Sequence, residues 1–176
     1  VFMGGFDLHA AEAVAGGEYR TGSAEDEALV ADVIAGADAV IASLSPRGDM
    51  AGRTVGIYQG VAAAALAEGT RLIVIGGFNG LRESEGGPRF AESLDESFPF
   101  LDEALEATAV VDWLQADAPA GLAWTFVSPA AVFGAFAPGE RTGSYRISGE
   151  VSLGGAESSL SGADLGVAIV DIIERG

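Results

Sequence analysis

The chain of 176 residues contains no cysteine and no lysine. Its nine cationic side chains are all arginine, set against 26 Asp and Glu, for a net charge of −17. Without cysteine there are no disulfides and no thiolate catalysis. His9 is the single histidine, so no zinc cluster is available and no metal is expected. The anionic balance argues against nucleic acid and against an anionic membrane as partners, because both require a cationic surface. No apolar run approaches the roughly 20 residues that span a bilayer. The N-terminus lacks the basic, apolar and small-residue succession of a signal peptide. A cytoplasmic protein binding a small molecule is the expectation.

The most informative stretch that is present runs from Thr70 to Gly80. Leu72–Ile75 is an unbroken apolar run that ends in Gly76-Gly77. Such a run reads as a strand buried on both faces of a parallel sheet. Glycine just past it lets a ligand lie against bare backbone, at the end of the strand where open α/β sheets bind ligands.

Helix and strand patterns alternate around this stretch. Glu18–Thr21 is read as a short strand, and Ser23-Ala24-Glu25-Asp26 as the capped start of a helix with Leu29, Val30, Val33 and Ile34 inward. Ala39–Ala42 is a strand. The next helix carries Val55, Tyr58, Ala62, Ala65 and Leu66 on one face and stops at Gly69. A long Gly- and charge-rich loop, Gly76 to about Ser97, has the length of a lid or binding loop. Pro99 fits the first turn of a helix ending near Asp117, with Leu101, Leu105, Ala109 and Trp113 as its buried stripe. Leu122–Val127 is a further strand, and Gly139–Leu153 is expected to hold one or two short strands. Ser161-Gly162-Ala163-Asp164 opens a last helix with Leu165, Ala168, Ile169 and Ile172 inward. Alternating strands and helices imply one domain with a mainly parallel sheet and helices on both faces.

The residues resemble a known family at this point. Ala37–Ser43 and Arg71–Gly77 carry the resemblance, with Trp124–Ala130, Gly139–Arg146 and Ser159–Asp171 following in order. Together they are similar to the NAD(P)H-binding, NmrA-like branch of the atypical short-chain dehydrogenases, whose members are described as NADH-flavin reductases or epimerase/dehydratase-like proteins. The resemblance implies an α/β, Rossmann-like three-layer sandwich and an NAD or NADP cofactor. It also implies that a flavin, FMN or FAD, or a quinone-like small molecule accepts the electrons. A dinucleotide-binding sensor without turnover is the alternative.

One departure from the family is large. The family begins with a strand, a glycine-rich loop and a helix that cradle the pyrophosphate. Gly4-Gly5 lacks the spacing for that loop. Aligning Val1-Phe2-Met3 with the end of the family's second strand, and Asp7–Ala15 with the short helix after it, leaves the first βα unit unaccounted for. Roughly 25 to 30 residues ahead of Val1 would supply it, and residues 1–176 alone would then bind NAD(H) weakly. A shortened, rewired member of the family is the other reading.

The resemblance also assigns site residues. Gly22, Ser23 and Ala24 would meet adenine, although Ser23 equally reads as a helix cap. Ser43, Leu44, Ser45, Pro46 and Arg47 would line the track from adenosine to nicotinamide; Arg47 meets a phosphate or is simply a loop arginine. Gly76, Gly77 and Phe78 would face the nicotinamide, and Ser128, Pro129 and Ala130 would close its pocket. Gly4, Gly5 and Asp7 put no cation where a 2′-phosphate would sit, which tilts the reading toward NAD(H). Tyr58, Phe78, Phe133 and Phe136 are candidate apolar walls or core. Ordinary short-chain dehydrogenases use Tyr-x-x-x-Lys, but Tyr19, Tyr58 and Tyr145 are followed four residues later by Ser23, Ala62 and Gly149. Carbonyl–alcohol chemistry of that type is therefore not expected. Hydride transfer to a flavin needs little acid–base help from the protein.

Overall fold

The computed structural model describes residues 16–134 and 138–175. The expectations for Val1–Met3, Gly4-Gly5, Asp7–Ala15, His9 and Phe136 lie outside those residues. The elements in chain order are α1 (Glu27–Ile34), β1 (Ala39–Ala42), α2 (Thr54–Glu68), β2 (Arg71–Ile75), α3 (Leu101–Asp117), β3 (Trp124–Val127), β4 (Val132–Phe133), β5 (Ser159–Leu160) and α4 (Gly162–Arg175).

The main sheet has the order β1-β2-β3 and is parallel throughout, with Ala42 opposite Val74 and Ile75 opposite Val127. The central strand is the apolar run read from the sequence: Leu72, Ile73 and Val74 are almost wholly buried. Each such side chain contributes about 1.5–3 kcal/mol by leaving water. Successive residues of a strand point to opposite faces. Val40, Ala42, Leu72, Val74, Trp124 and Phe126 accordingly meet Val30 and Ile34 of α1, Tyr58, Val61, Ala62 and Ala65 of α2, and Val110 and Leu114 of α3. On the other face Arg71 donates to the Ile172 carbonyl of α4 at 3.2 Å and to Thr125 Oγ1 at 3.0 Å. Helices therefore flank the sheet on both sides, and the fold is a Rossmann-like α/β sandwich. Gly69 closes α2 with φ +68°, a conformation that L side chains rarely adopt, and its N–H caps the helix.

Several local expectations are corrected. Among the described residues Glu18–Thr21 forms no strand, only a single β-bridge at Arg20, whose side chain pairs with Glu18 and Asp32. The cap of α1 is Asp26, whose carboxylate accepts from Ala28 and Leu29 at 3.1 Å; Ser23 Oγ instead accepts from Glu25 N. Pro99 lies just before α3, whose N-cap is Phe100. The buried stripe of α3 is Ala104, Thr108, Val110, Val111 and Leu114, while Leu105 is 44% exposed. A strict spacing of four drifts around a helix of 3.6 residues per turn, so the expected stripe leaves the buried face within two turns. Gly139–Leu153 holds no strand beyond a bridge from Val151 to Arg82; the short parallel pair β4–β5 lies on either side of that segment.

Candidate functional site

Parallel strands of level register deliver their C-terminal loops to one end of the sheet. Ser43–Arg47, Gly76–Phe78 and Ser128–Ala130 are therefore neighbours there, and the Gly76 N–H donates to Val127 O at 2.9 Å. Leu44, Pro46 and Gly76 share a narrow crevice with Tyr58 and Phe126. Ser128, Pro129 and Ala130 line a separate, larger cleft. Gly22–Ala24 precede α1; the adjoining Glu25 is tied by Arg53 to the start of α2 at 2.7 Å, so this segment reaches the same end.

The two glycines after β2 differ in kind. A Cβ on Gly76 would fall 2.0 Å from Phe126 Cζ, so this glycine is needed for core packing. A Cβ on Gly77 would meet nothing within 4 Å, and its φ of −118° is ordinary extended backbone. Gly77 is the one that leaves open space at the strand end. Phe78 stacks on Phe90 with centroids 4.5 Å apart, which folds the start of the long loop back on itself.

Tyr58 is a buried clamp. Its hydroxyl donates to Ala42 O at 3.3 Å and accepts from Leu44 N at 3.2 Å, which fixes the turn that leaves β1. Burial pushes its pKa up to about 12, offset in part by the Leu44 N–H. A tyrosine so placed is a poor proton donor. Arg47 donates to Glu103 Oε2 at 2.7 Å and lies over the Phe100 ring at 5.5 Å, with its guanidinium still largely in solvent.

The helix starts at this end already carry protein carboxylates. Asp26 caps α1. Glu106 of α3 accepts from Gly52 N and Thr54 N at the start of α2, at 2.7 Å each. Burial raises the Glu106 pKa, but these donors outweigh it and hold the carboxyl below its ordinary range. Among the described residues, bare backbone and short loops converge at this end of the sheet. It offers no glycine-rich helix start for the pyrophosphate.

The larger feature went unread in the sequence. A cleft of about 720 Å³ runs along the outer edge of β3 from Trp124 to Ala130. Its far wall is the 144–153 segment and its side is α4, through Leu165, Ala168 and Ile172. Arg89, 1% exposed, forms part of its base. That guanidinium donates to Asp112 Oδ1 and Gln115 Oε1 at 2.8 Å each and to Gly80 O at 2.5 Å. Glu150 accepts from Arg82 at 3.0 Å and from Gln115 at 2.8 Å, and pairs with Arg89 at 3.4 Å. Arg82, foremost, holds the Glu150 carboxyl below the ordinary range. This network binds the loop after β2, α3 and the 144–153 wall into one body. No motif announces it; the only signal is arginine within an otherwise acidic, glycine-rich loop.

The family segments Gly139–Arg146 and Ser159–Asp171 also meet. Asp164, buried in the first turn of α4, accepts from Thr142 N, Gly143 N and Thr142 Oγ1 at 2.8–2.9 Å. Burial pushes its carboxyl up, but these donors prevail and its pKa is lowered. Ser161 Oγ accepts from Asp164 N at 3.0 Å, so the expected cap is present while the Asp164 side chain serves the loop instead. Tyr145 O–H donates to Asp171, with Arg175 alongside.

Parallel strands crossed by helices, with loops and a cleft gathered at their C-terminal ends, define a Rossmann-like nucleotide-binding domain. The chain belongs to the NAD(P)H-binding family, which it matches over residues 7–175. Its cofactor class is accordingly a nicotinamide dinucleotide. The fold recurs in a protein of Burkholderia pseudomallei described as a "putative exported protein", at 29% identity and a TM-score of 0.74, covering 90% of this chain and 76% of that one. It also recurs in a "putative NADH-flavin reductase" of Streptococcus pneumoniae, at 26% identity and a TM-score of 0.73, covering 99% and 81%. A "putative epimerase" of Bacteroides thetaiotaomicron, 24% identical with a TM-score of 0.77, shares the fold, covering 95% and 76%. No curated protein matches the chain significantly. Among the described residues no helix is long and apolar enough to cross a membrane.

Proposed function

We propose that the protein is an NAD(P)H-dependent reductase of a flavin or quinone-like acceptor. One observation carries the reading: Gly77, with open backbone, follows β2, and the cleft runs along the neighbouring strand β3, so a donor ring at the one would lie near an acceptor ring in the other. A reduced nicotinamide supplies a hydride, and with one proton from solvent the acceptor gains two electrons and two hydrogens. The chain's own groups then bind and orient. Gly22, Ser23 and Ala24 contact adenine, Ser43–Arg47 line the track, Gly76–Phe78 underlie the nicotinamide, and Ser128–Ala130 close it. Asp26 and Glu106 already accept from the first N–H groups of α1 and α2, so these helix starts are not assigned to the pyrophosphate. The absence of lysine from the sequence and the burial of Tyr58 support a reaction that asks little acid–base work of the protein. The similarity to the Streptococcus protein supports the same direction. NAD(H) is the favoured dinucleotide.

The test is NADH and NADPH oxidation by the protein with FMN, riboflavin and a soluble quinone. Turnover with any of them supports the reading. NADH binding without turnover of all three acceptors selects a sensor instead.

A further inference from the structure

The β3 cleft has a chemistry that the dinucleotide does not explain. The chain has 26 acidic side chains, yet among the described residues Glu150 is the single acid lining this cleft, and its carboxylate is consumed by Arg82, Arg89 and Gln115. Six arginines, at positions 20, 47, 53, 82, 89 and 175, pair with carboxylates. Among the described residues, Arg71, Arg141 and Arg146 do not. Two of those three flank this cleft: Arg146 lines it with no partner, and Arg71 donates to the lining residues Thr125 and Ile172. The rest of the lining carries no charge: apolar and aromatic side chains alternate with Gln115, Thr125 and six serines. Ile147 and Leu153, at 59% and 46% exposure, present bare hydrocarbon on the same wall that bears Arg146. The wall is not loose: Asp164 holds Thr142 and Gly143, and Tyr145 is hydrogen-bonded to Asp171.

An apolar slot with a few placed polar groups is the usual form of a small-molecule site. An unpaired guanidinium at its side selects an anion, which it can hold in a bidentate way. We propose that this cleft is the acceptor site and that Arg146 binds an anionic arm of the acceptor. The substrate is then a planar ring bearing a phosphate or carboxylate, rather than a neutral quinone or an uncharged flavin. The inference rests on the reductase reading for the word acceptor, while the binding site itself stands without turnover.

FMN and riboflavin test it, because they share one ring system and differ in a phosphate. Binding is read by quenching of flavin fluorescence, and turnover by NADH oxidation, for the protein and for Arg146→Gln and Arg146→Lys. The protein should bind FMN more tightly than riboflavin. Arg146→Gln should cut that preference roughly tenfold to a hundredfold, the worth of one charge-assisted hydrogen bond, and Arg146→Lys should restore part of it. Equal loss for both flavins, or an unchanged preference in a folded Arg146→Gln variant, overturns the proposal. So does failure of the protein to bind FMN, even if it reduces a neutral quinone. If FMN binds in an Arg146-dependent way but no acceptor is turned over, the site stands and the reductase reading falls.

Discussion

Gly76→Ala isolates the packing role of one glycine from the ligand role of its neighbour. The new Cβ would sit 2.0 Å from Phe126 Cζ and 2.3 Å from Cε1. Unstrained carbon contacts lie near 3.5–4.0 Å, so the ring must retreat by about 1.5 Å. It is packed against the core and shares a crevice with Tyr58, Val74 and Val110, which limits that retreat. Overpacking of this kind costs about 1–3 kcal/mol. At about 2–4 °C per kcal/mol for a domain of this size, the Tm should fall by roughly 2–12 °C in a thermal melt followed by circular dichroism. Gly77→Ala is the control: its Cβ meets nothing within 4 Å, so its Tm should stay close to that of the parent. Phe126→Leu in the Gly76→Ala background should recover part of the loss, giving a coupling of about 0.5 kcal/mol or more. Equal melting of the two alanine variants, or strict additivity of Gly76→Ala and Phe126→Leu, would refute the reasoning.

Three further outcomes follow from the same geometry. Tyr58→Phe removes the hydroxyl between Ala42 O and Leu44 N and should lower stability by about 1–2 kcal/mol in urea unfolding; because the hydroxyl has no chemical role, kcat should not show the loss of a proton donor. Glu106→Gln should destabilise above about pH 5, where the parent's carboxylate is ionised in both folded and unfolded states. Because folding lowers this pKa, the parent's advantage is complete above the unfolded value of about 4.3 and fades as pH falls through the folded one. Melts of the two proteins should therefore converge in acid, and a gap that widens there would reverse the sign. Arg89→Met leaves Gly80 O and Asp112 without their donor and should expose the 80–97 loop to limited proteolysis well before global unfolding.

The frame of the fold could be read residue by residue. The Leu72–Ile75 run marked the central strand because burial on both faces leaves no polar alternation, and Gly69 marked the end of α2 because only a left-handed residue fits there. What escaped was set by contacts distant in sequence. The Glu18–Thr21 pattern looks like a strand, but a strand is made by its backbone partners, and among the described residues only Arg20 bridges. The stripe of α3 is set by what lies above and below it, so Leu105 faces water while Thr108 is buried. Gly76-Gly77 read as a pair facing a ligand; the packing of Phe126 against Gly76 comes from a strand about fifty residues later and has no local signature. The β3 cleft was illegible for the same reason. Its base joins Gly80, Arg89, Gln115 and Glu150, which no motif links.

The central claim is that the dinucleotide lies across the ends of β1, β2 and β3 against the bare backbone of Gly77. The most direct test is the NADH dissociation constant of Gly77→Val beside that of the parent, with a melt of each. The added isopropyl group would fill space that the ligand needs and that the protein does not use. The expected result is an unchanged Tm with NADH bound about tenfold more weakly or worse. Full NADH affinity in a folded Gly77→Val variant would contradict the account and remove this strand end as the cofactor's place.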